Sequence, residues 1–313
     1  MNKTLVYRLT GCMMLFLFLF SWKTQAQLRI TTVQVSAEYV PSSRYIRPED
    51  SVKTHHTTTQ QRINTALGFS LYNRIDTATG AVRSLTGIIS GSYSRWQHKD
   101  YERAVFPEEL FAGDLGLSYY RTLRNRWAFL GMASAGIYSD MKEIDGNDIF
   151  INAGGAFIKQ FRPNFALGFG LFVNTSFGNP MVWPTLLVQW KMGGRYKLNI
   201  NVPDKGPGLA FNVGVTRIFS KQYELSLAFK PRQMTYDITR LTDDKRLMSY
   251  WELPIGIENR WHLKNIDLFI GGGIMPLRSA EFEEKKVSKM FSRRPGHKLA
   301  TNGYFNIGFQ WKL

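Results

Sequence analysis

The chain has 313 residues, a formal net charge of +16, 44% hydrophobic residues and a mean hydropathy of −0.23. Past the N-terminus no apolar stretch approaches the roughly 18 uninterrupted residues that a spanning helix needs, which excludes a helical membrane protein. The same values do not exclude a chain that crosses a membrane with strands, because alternating strands average apolar against polar residues.

The first 26 residues read as an export signal. Lys3 and Arg8 supply the basic region, residues 13–20 are an apolar run, and Thr24-Gln25-Ala26 is a cleavage context that leaves Gln27 as the mature start. Cys12 is the single cysteine and lies inside this segment. Residues 9–12 look like a lipobox, but they precede the apolar run instead of following it. The mature chain, 27–313, is then one domain without disulfide or thiolate chemistry. A pI near 9.9 suits nucleic acid, but an exported chain is not expected to meet it.

Alternation and turn residues place strands at 28–40, 62–74, 84–96, 114–121, 127–138, 149–161, 165–174, 183–190, 196–202, 209–219, 223–229, 250–261, 266–274 and 304–313. The last is the most telling. Phe305, Ile307, Phe309, Trp311 and Leu313 share one face, while Asn306, Gly308, Gln310 and Lys312 share the other. Five large apolar groups on one face of a terminal strand suit a sheet whose outer solvent is lipid. The connections after odd-numbered strands (41–61, 97–113, 139–148, 175–182, 203–208, 230–249, 275–303) exceed most of those after even-numbered ones, as short turns and long outer loops alternate in a barrel. The expected fold is therefore all-β: a transmembrane antiparallel up-and-down barrel of about fourteen strands, or twelve if the segments near 191–202 merge, with both termini periplasmic. Within 230–249, Met234, Tyr236 and Ile238 alternate and suggest a further hairpin; residues 106–111 suggest a helical turn after Pro107. Trp96, Trp127, Trp183, Trp190, Tyr196, Trp251, Trp261 and Trp311 are expected in interfacial girdles.

If the large apolar residues face lipid, their neighbours face a lumen rich in small side chains. The charged lumen candidates are Arg62, Asp114, Glu224, Glu252, Glu258, Arg260 and Asp267. Mixed signs suit a water-filled passage or a set of paired charges holding a plugged barrel together. Lys285, Lys286, Lys289, Arg293, Arg294 and Lys298 form a basic outer loop, either simply solvated or a contact for lipopolysaccharide phosphates. The expected partners are outer-membrane lipid and the barrel-assembly machinery; no cofactor is expected. Barrel hydrolases would need a nucleophile beside a base. His55, His56, His98, His262 and His297 all fall in expected loops or turns, and none has serine two residues on or an adjoining aspartate. Asp145-Gly146-Asn147-Asp148 looks like part of a calcium loop with its glycine misplaced, and is read as an ordinary turn without metal.

Thr24-Gln25-Ala26-Gln27, residues 135–140 (Ala-Gly-Ile-Tyr-Ser-Asp), residues 165–170 (Phe-Ala-Leu-Gly-Phe-Gly), the stretch from Asn174 to Pro180 and the strand ending at Trp311 together resemble uncharacterised outer-membrane β-barrel families of Bacteroidota, domains of unknown function. The resemblance implies the barrel and outer-membrane location and carries over no functional residue. The expected role is a monomeric channel for small polar solutes, and the alternative is a non-conducting structural or surface-binding barrel acting through its outer loops.

Overall fold

The computed structural model describes residues 29–102, 105–175, 180–204, 208–239, 247–283 and 296–313. The expected signal segment and all of the basic stretch except Lys298 lie outside them. The strands are β1 (Arg29–Ile46), β2 (Lys53–Ile75), β3 (Val82–Lys99), β4 (Glu109–Thr122), β5 (Trp127–Ser139), β6 (Ile149–Arg162), β7 (Phe165–Asn174), β8 (Met181–Met192), β9 (Tyr196–Val202), β10 (Leu209–Ala210), β11 (Asn212–Ile218), β12 (Tyr223–Phe229), β13 (Arg232–Asp237), β14 (Leu247–Glu252), β15 (Ile255–Leu263), β16 (Ile266–Met275), β17 (Arg278–Glu283), β18 (His297–Leu299) and β19 (Asn302–Lys312).

Antiparallel pairing closes a ring of fourteen strands: β1 to β9 in sequence, then β11, β12, β15, β16 and β19, which returns to β1. Closure leaves no sheet edge unpaired, the condition for a sheet in hydrocarbon. The alternation sets which face is which. On β19, Phe305 is 67% and Ile307 56% exposed, and Leu171 on β7 is 62% exposed, whereas Ala166 and Phe172 turn inward and are buried. An apolar belt on the outside of a closed barrel is a lipid face, so this chain spans a membrane. Trp127, Trp190, Tyr196, Trp261 and Trp311 are exposed near one end of their strands and form a girdle there. That end carries the short turns 76–81, 123–126, 163–164, 193–195, 219–222 and 264–265; it is the turn end, and the other is the loop end.

The strands outrun their expected bounds at the loop end. The expected connections 41–61 and 97–113 shrink to 47–52 and 100–108, because Thr- and Gln-rich segments such as 57–61 are strand with polar groups turned inward. His55 and His56 therefore lie on β2, His98 on β3, His262 on β15 and His297 on β18, not in loops. The helical turn expected at 106–111 is absent; β4 has begun by Glu109, and Phe106 is a buried anchor. Trp96 is 2% exposed inside the barrel instead of at its interface.

The largest departure is a lid. Between β12 and β13 stands Pro231, between β14 and β15 Pro254, and between β16 and β17 Pro276. Proline has no N–H to give a ladder, so a row of prolines weakens the sheet along one line. Their carbonyls still accept: Pro231 from Phe211 N at 2.8 Å and Pro254 from Lys230 N at 3.0 Å. Beyond this line the sheet continues as β10–β13–β14–β17–β18, which rejoins the barrel at β1. It turns over the lumen and reaches the opposite wall, where Asp237 pairs with Ser139 of β5. Residues 230–249 and 275–303, expected as outer loops, thus contribute strands to a cover, and the hairpin suggested by Met234, Tyr236 and Ile238 is its centre.

Candidate functional site

The lid's underside is polar, and its upper part is apolar. Met234, Tyr236, Ile238, Leu247, Met248 and Tyr250 pack against Trp96, Phe106, Leu110, Tyr138 and Phe150 of the barrel wall. The Trp96 and Tyr250 ring centroids are 4.9 Å apart, and those of Tyr138 and Tyr236 are 6.3 Å apart. The alternation of β13 and β14 is hidden because successive residues on both faces are buried.

Below this core lies a closed ionic quartet. Arg62 on β2 donates two hydrogen bonds to Glu252 of the lid, at 2.6 and 2.9 Å, and a third to Glu38 of β1 at 3.2 Å. Arg232 of the lid reaches the same two carboxylates. Arg62 is 2% exposed and Glu252 0%. Bidentate pairing satisfies the guanidinium fork, and two charges of each sign leave the group neutral, the conditions under which buried ions are tolerated. Gln60 extends the network: its amide donates to Glu252 at 2.8 Å, and its oxygen accepts from Tyr250 and Arg278.

Among the lumen candidates, Arg62 and Glu252 meet in this quartet. Glu258 takes Lys230 at 3.0 Å and Arg260 at 2.7 Å, beside the quartet. Glu224 lies with Lys197 at 2.8 Å, and Asp267 with His262 at 2.9 Å and Lys312 at 2.6 Å, near the turn end. Asp114 is elsewhere on the wall. It accepts from Tyr138 at 2.5 Å, and Tyr138 accepts from the Gly208 amide at 2.9 Å. Gly208 has φ +78, and a Cβ there would meet the Gln233 carbonyl at 2.4 Å, so only glycine allows this close approach to lid strand β13. Lys298 is exposed on β18; its companions Lys285, Lys286, Lys289, Arg293 and Arg294 lie outside the described residues. Glu38, Gln60, Arg232 and Arg278 were not singled out by sequence. Ala37 and Tyr39 are exposed on β1, and period-2 alternation between them is the signal that turns Glu38 inward; Arg232 and Arg278 fall in the expected connections 230–249 and 275–303.

Under the quartet the lumen is hollow. A cavity of about 540 Å³ runs from Arg232 and Met234 in the lid to Thr31 and Gln310 near the turn end, lined by Arg62, Asn64, Ser90, Asp204 and Lys230 among others. A smaller adjoining space of about 180 Å³ shares Lys230 and Arg232 and adds Glu38, Glu258 and Arg260. Small inward residues leave this space because fourteen strands enclose more than their side chains fill.

No curated protein matches the chain. Among solved structures, it is similar to the COG4313 outer membrane channel from Pseudomonas putida F1, at 10% identity and TM-score 0.47 over 94% of this chain and 98% of that one. It is also similar to the TodX monoaromatic hydrocarbon channel, at 7% identity and TM-score 0.46 over 94% and 92%. LpxR from Salmonella typhimurium matches at 9% identity and TM-score 0.35, over 90% and 100%. The closed ring and its outward apolar belt make the protein a membrane-spanning β-barrel. A family model described as a domain of unknown function, DUF6268, matches residues 22–312, and the chain belongs to that family.

Proposed function

We propose that the protein is a lidded channel for small polar solutes, with the lid in its closed position. The carrying observation is the charged cavity of about 540 Å³ beneath a cover that joins the barrel through a line of prolines. A solid barrel interior would need no such cover, and a structural barrel gains nothing from a hollow lined by Arg62, Lys230 and Arg232. The reading is of a non-enzymatic protein.

A second reading, a non-conducting barrel acting through its loop end, is favoured by the depth of the lid's anchoring in the quartet and the aromatic core. In that reading Lys298 and the basic stretch before it meet lipopolysaccharide phosphates. In both readings the last strand is the segment offered to the barrel-assembly machinery. Planar-bilayer conductance separates them. The mature chain should give small or rare currents, and a variant with residues 232–252 replaced by a short Gly-Ser linker should give large stable ones. A folded linker variant that carries no current removes the channel reading.

A further inference from the structure

The lid's far tip ends among carboxylates. Asp145, Asp148 and Asp237 each bring a carboxylate oxygen to within 4.8 Å of the others. Asp237 belongs to the lid strand β13; Asp145 and Asp148 belong to the connection between β5 and β6, on the wall. Asp148 is 0% exposed, and Asp237 is 1% exposed. One oxygen of Asp148, Oδ2, accepts the Asp145 amide at 2.7 Å; the other, Oδ1, is buried with no hydrogen-bond partner. No described basic side chain forms an ion pair with Asp148.

An ionised carboxylate left in this state is unfavourable, and like charges so close compound the cost. The local fold nevertheless builds the arrangement. Asp145 caps a 3₁₀ turn, Gly146–Asp148, by accepting from Asn147 N at 2.7 Å, and this holds Asp148 inward. The lid strand is fixed beside it by Asp140 N donating to the Asp237 carbonyl at 3.3 Å. Asp140 adds a fourth buried carboxylate whose Oδ2 has no hydrogen-bond partner.

We propose that Asp145, Asp148 and Asp237 bind one divalent cation of the calcium class, which clamps the tip of the lid to the wall. The donor set is all oxygen, with no histidine or cysteine in the cluster, which selects a hard cation over zinc or copper. The cation offsets most of the carboxylate charge and bridges two segments far apart in sequence, so its loss frees the lid at the end opposite the proline line. The effect on current rests on the channel reading; the binding itself does not.

The test uses the refolded mature barrel in detergent, stripped with EGTA and titrated with Ca²⁺ by calorimetry. One Ca²⁺ should bind, and Asp148→Asn should weaken it at least tenfold. Asp145→Asn, at an exposed position that folding tolerates, should weaken it too, while Asp76→Asn in the turn 76–81 should not. Absence of binding, or unchanged affinity in both cluster variants, overturns the site. Ca²⁺ should also slow amide exchange across residues 232–237 at least tenfold; binding without slowing overturns the clamp. In the bilayer, EGTA should raise the current of the wild type and leave that of Asp148→Asn unchanged. Ca²⁺ binding with no current under either condition leaves the site standing and removes the channel reading instead.

Discussion

Glu252 shows how much one side chain can hold. It is fully buried and takes Arg62 from the wall and Arg232 from its own hairpin, with Gln60 between them. Truncating it would leave two buried guanidinium groups sharing the single counter-charge of Glu38. Breaking a buried pair in this way costs about 3–5 kcal/mol. Glu252→Ala should therefore loosen the lid while leaving the barrel closed: amides of β13 and β14 should exchange far faster, with those of β6 and β7 unchanged. His297 works more gently at the other side of the lid, where its Nδ1 meets the Tyr45 hydroxyl at 2.6 Å and its ring stacks on Tyr45. Burial lowers its pKa from 6.5, so the folded state prefers the neutral ring. A depressed histidine contributes stability that is present above its unfolded pKa and is lost as pH falls through 6.5 toward the folded value. The amides of β18 should thus lose protection between neutral and mildly acidic pH, after correction for intrinsic exchange, and His297→Gln should remove that pH dependence.

At the scale of strands, the lipid face was readable and the lid was not. Period-2 alternation survives wherever a strand has lipid on one side and lumen on the other, which is why β7 and β19 declare themselves. The strands whose polar ends point into the barrel, such as the first half of β2, look like loops in sequence because their composition is Thr, Gln and His. The strands β13 and β14 have protein on both sides, so their inward turn leaves only the weak trace at Met234, Tyr236 and Ile238. Pro231, Pro254 and Pro276 mark the line between barrel and lid, but sequence alone does not show that they stand side by side. For the site the limit is similar: Asp145 and Asp148 were visible as a turn, and only the fold brings Asp237 to them. The face assignment of β19 is open to direct challenge. Ile307 is 56% exposed and pairs with Ile270 and Ala37 in the middle of neighbouring strands. A charge at the bilayer midplane costs about 2–4 kcal/mol, somewhat less for Asp. Ile307→Asp should reduce the yield of folded, heat-modifiable barrel, whereas a polar change at inward-facing Asn306, such as Asn306→Ser, should not.

For the whole molecule, what matters is which way the lid faces. Strand β1 leaves from the turn end and β19 returns to it, so both ends of the mature barrel share that side. Longer connections gather at the other end with the lid, and the girdle of Trp127, Trp190, Trp261 and Trp311 marks the turn-end interface. In an outer membrane, short turns face the periplasm and longer segments face outward. The lid and the carboxylate cluster would then meet the medium outside the cell, where divalent cations are set by the environment. The opposite insertion would put the same cluster in the periplasm and make the cell's own ion pool its ligand source. Two single cysteines decide between them, because Cys12 is the only cysteine of the whole chain. Val52, 48% exposed, lies in the connection 47–52 at the loop end, and Ala78 is exposed in the turn 76–81. On intact cells a membrane-impermeant maleimide should label Val52→Cys and spare Ala78→Cys, and both should react once the outer membrane is opened. Labelling of Ala78→Cys alone on intact cells would turn the barrel over, and the lid would answer to the periplasm.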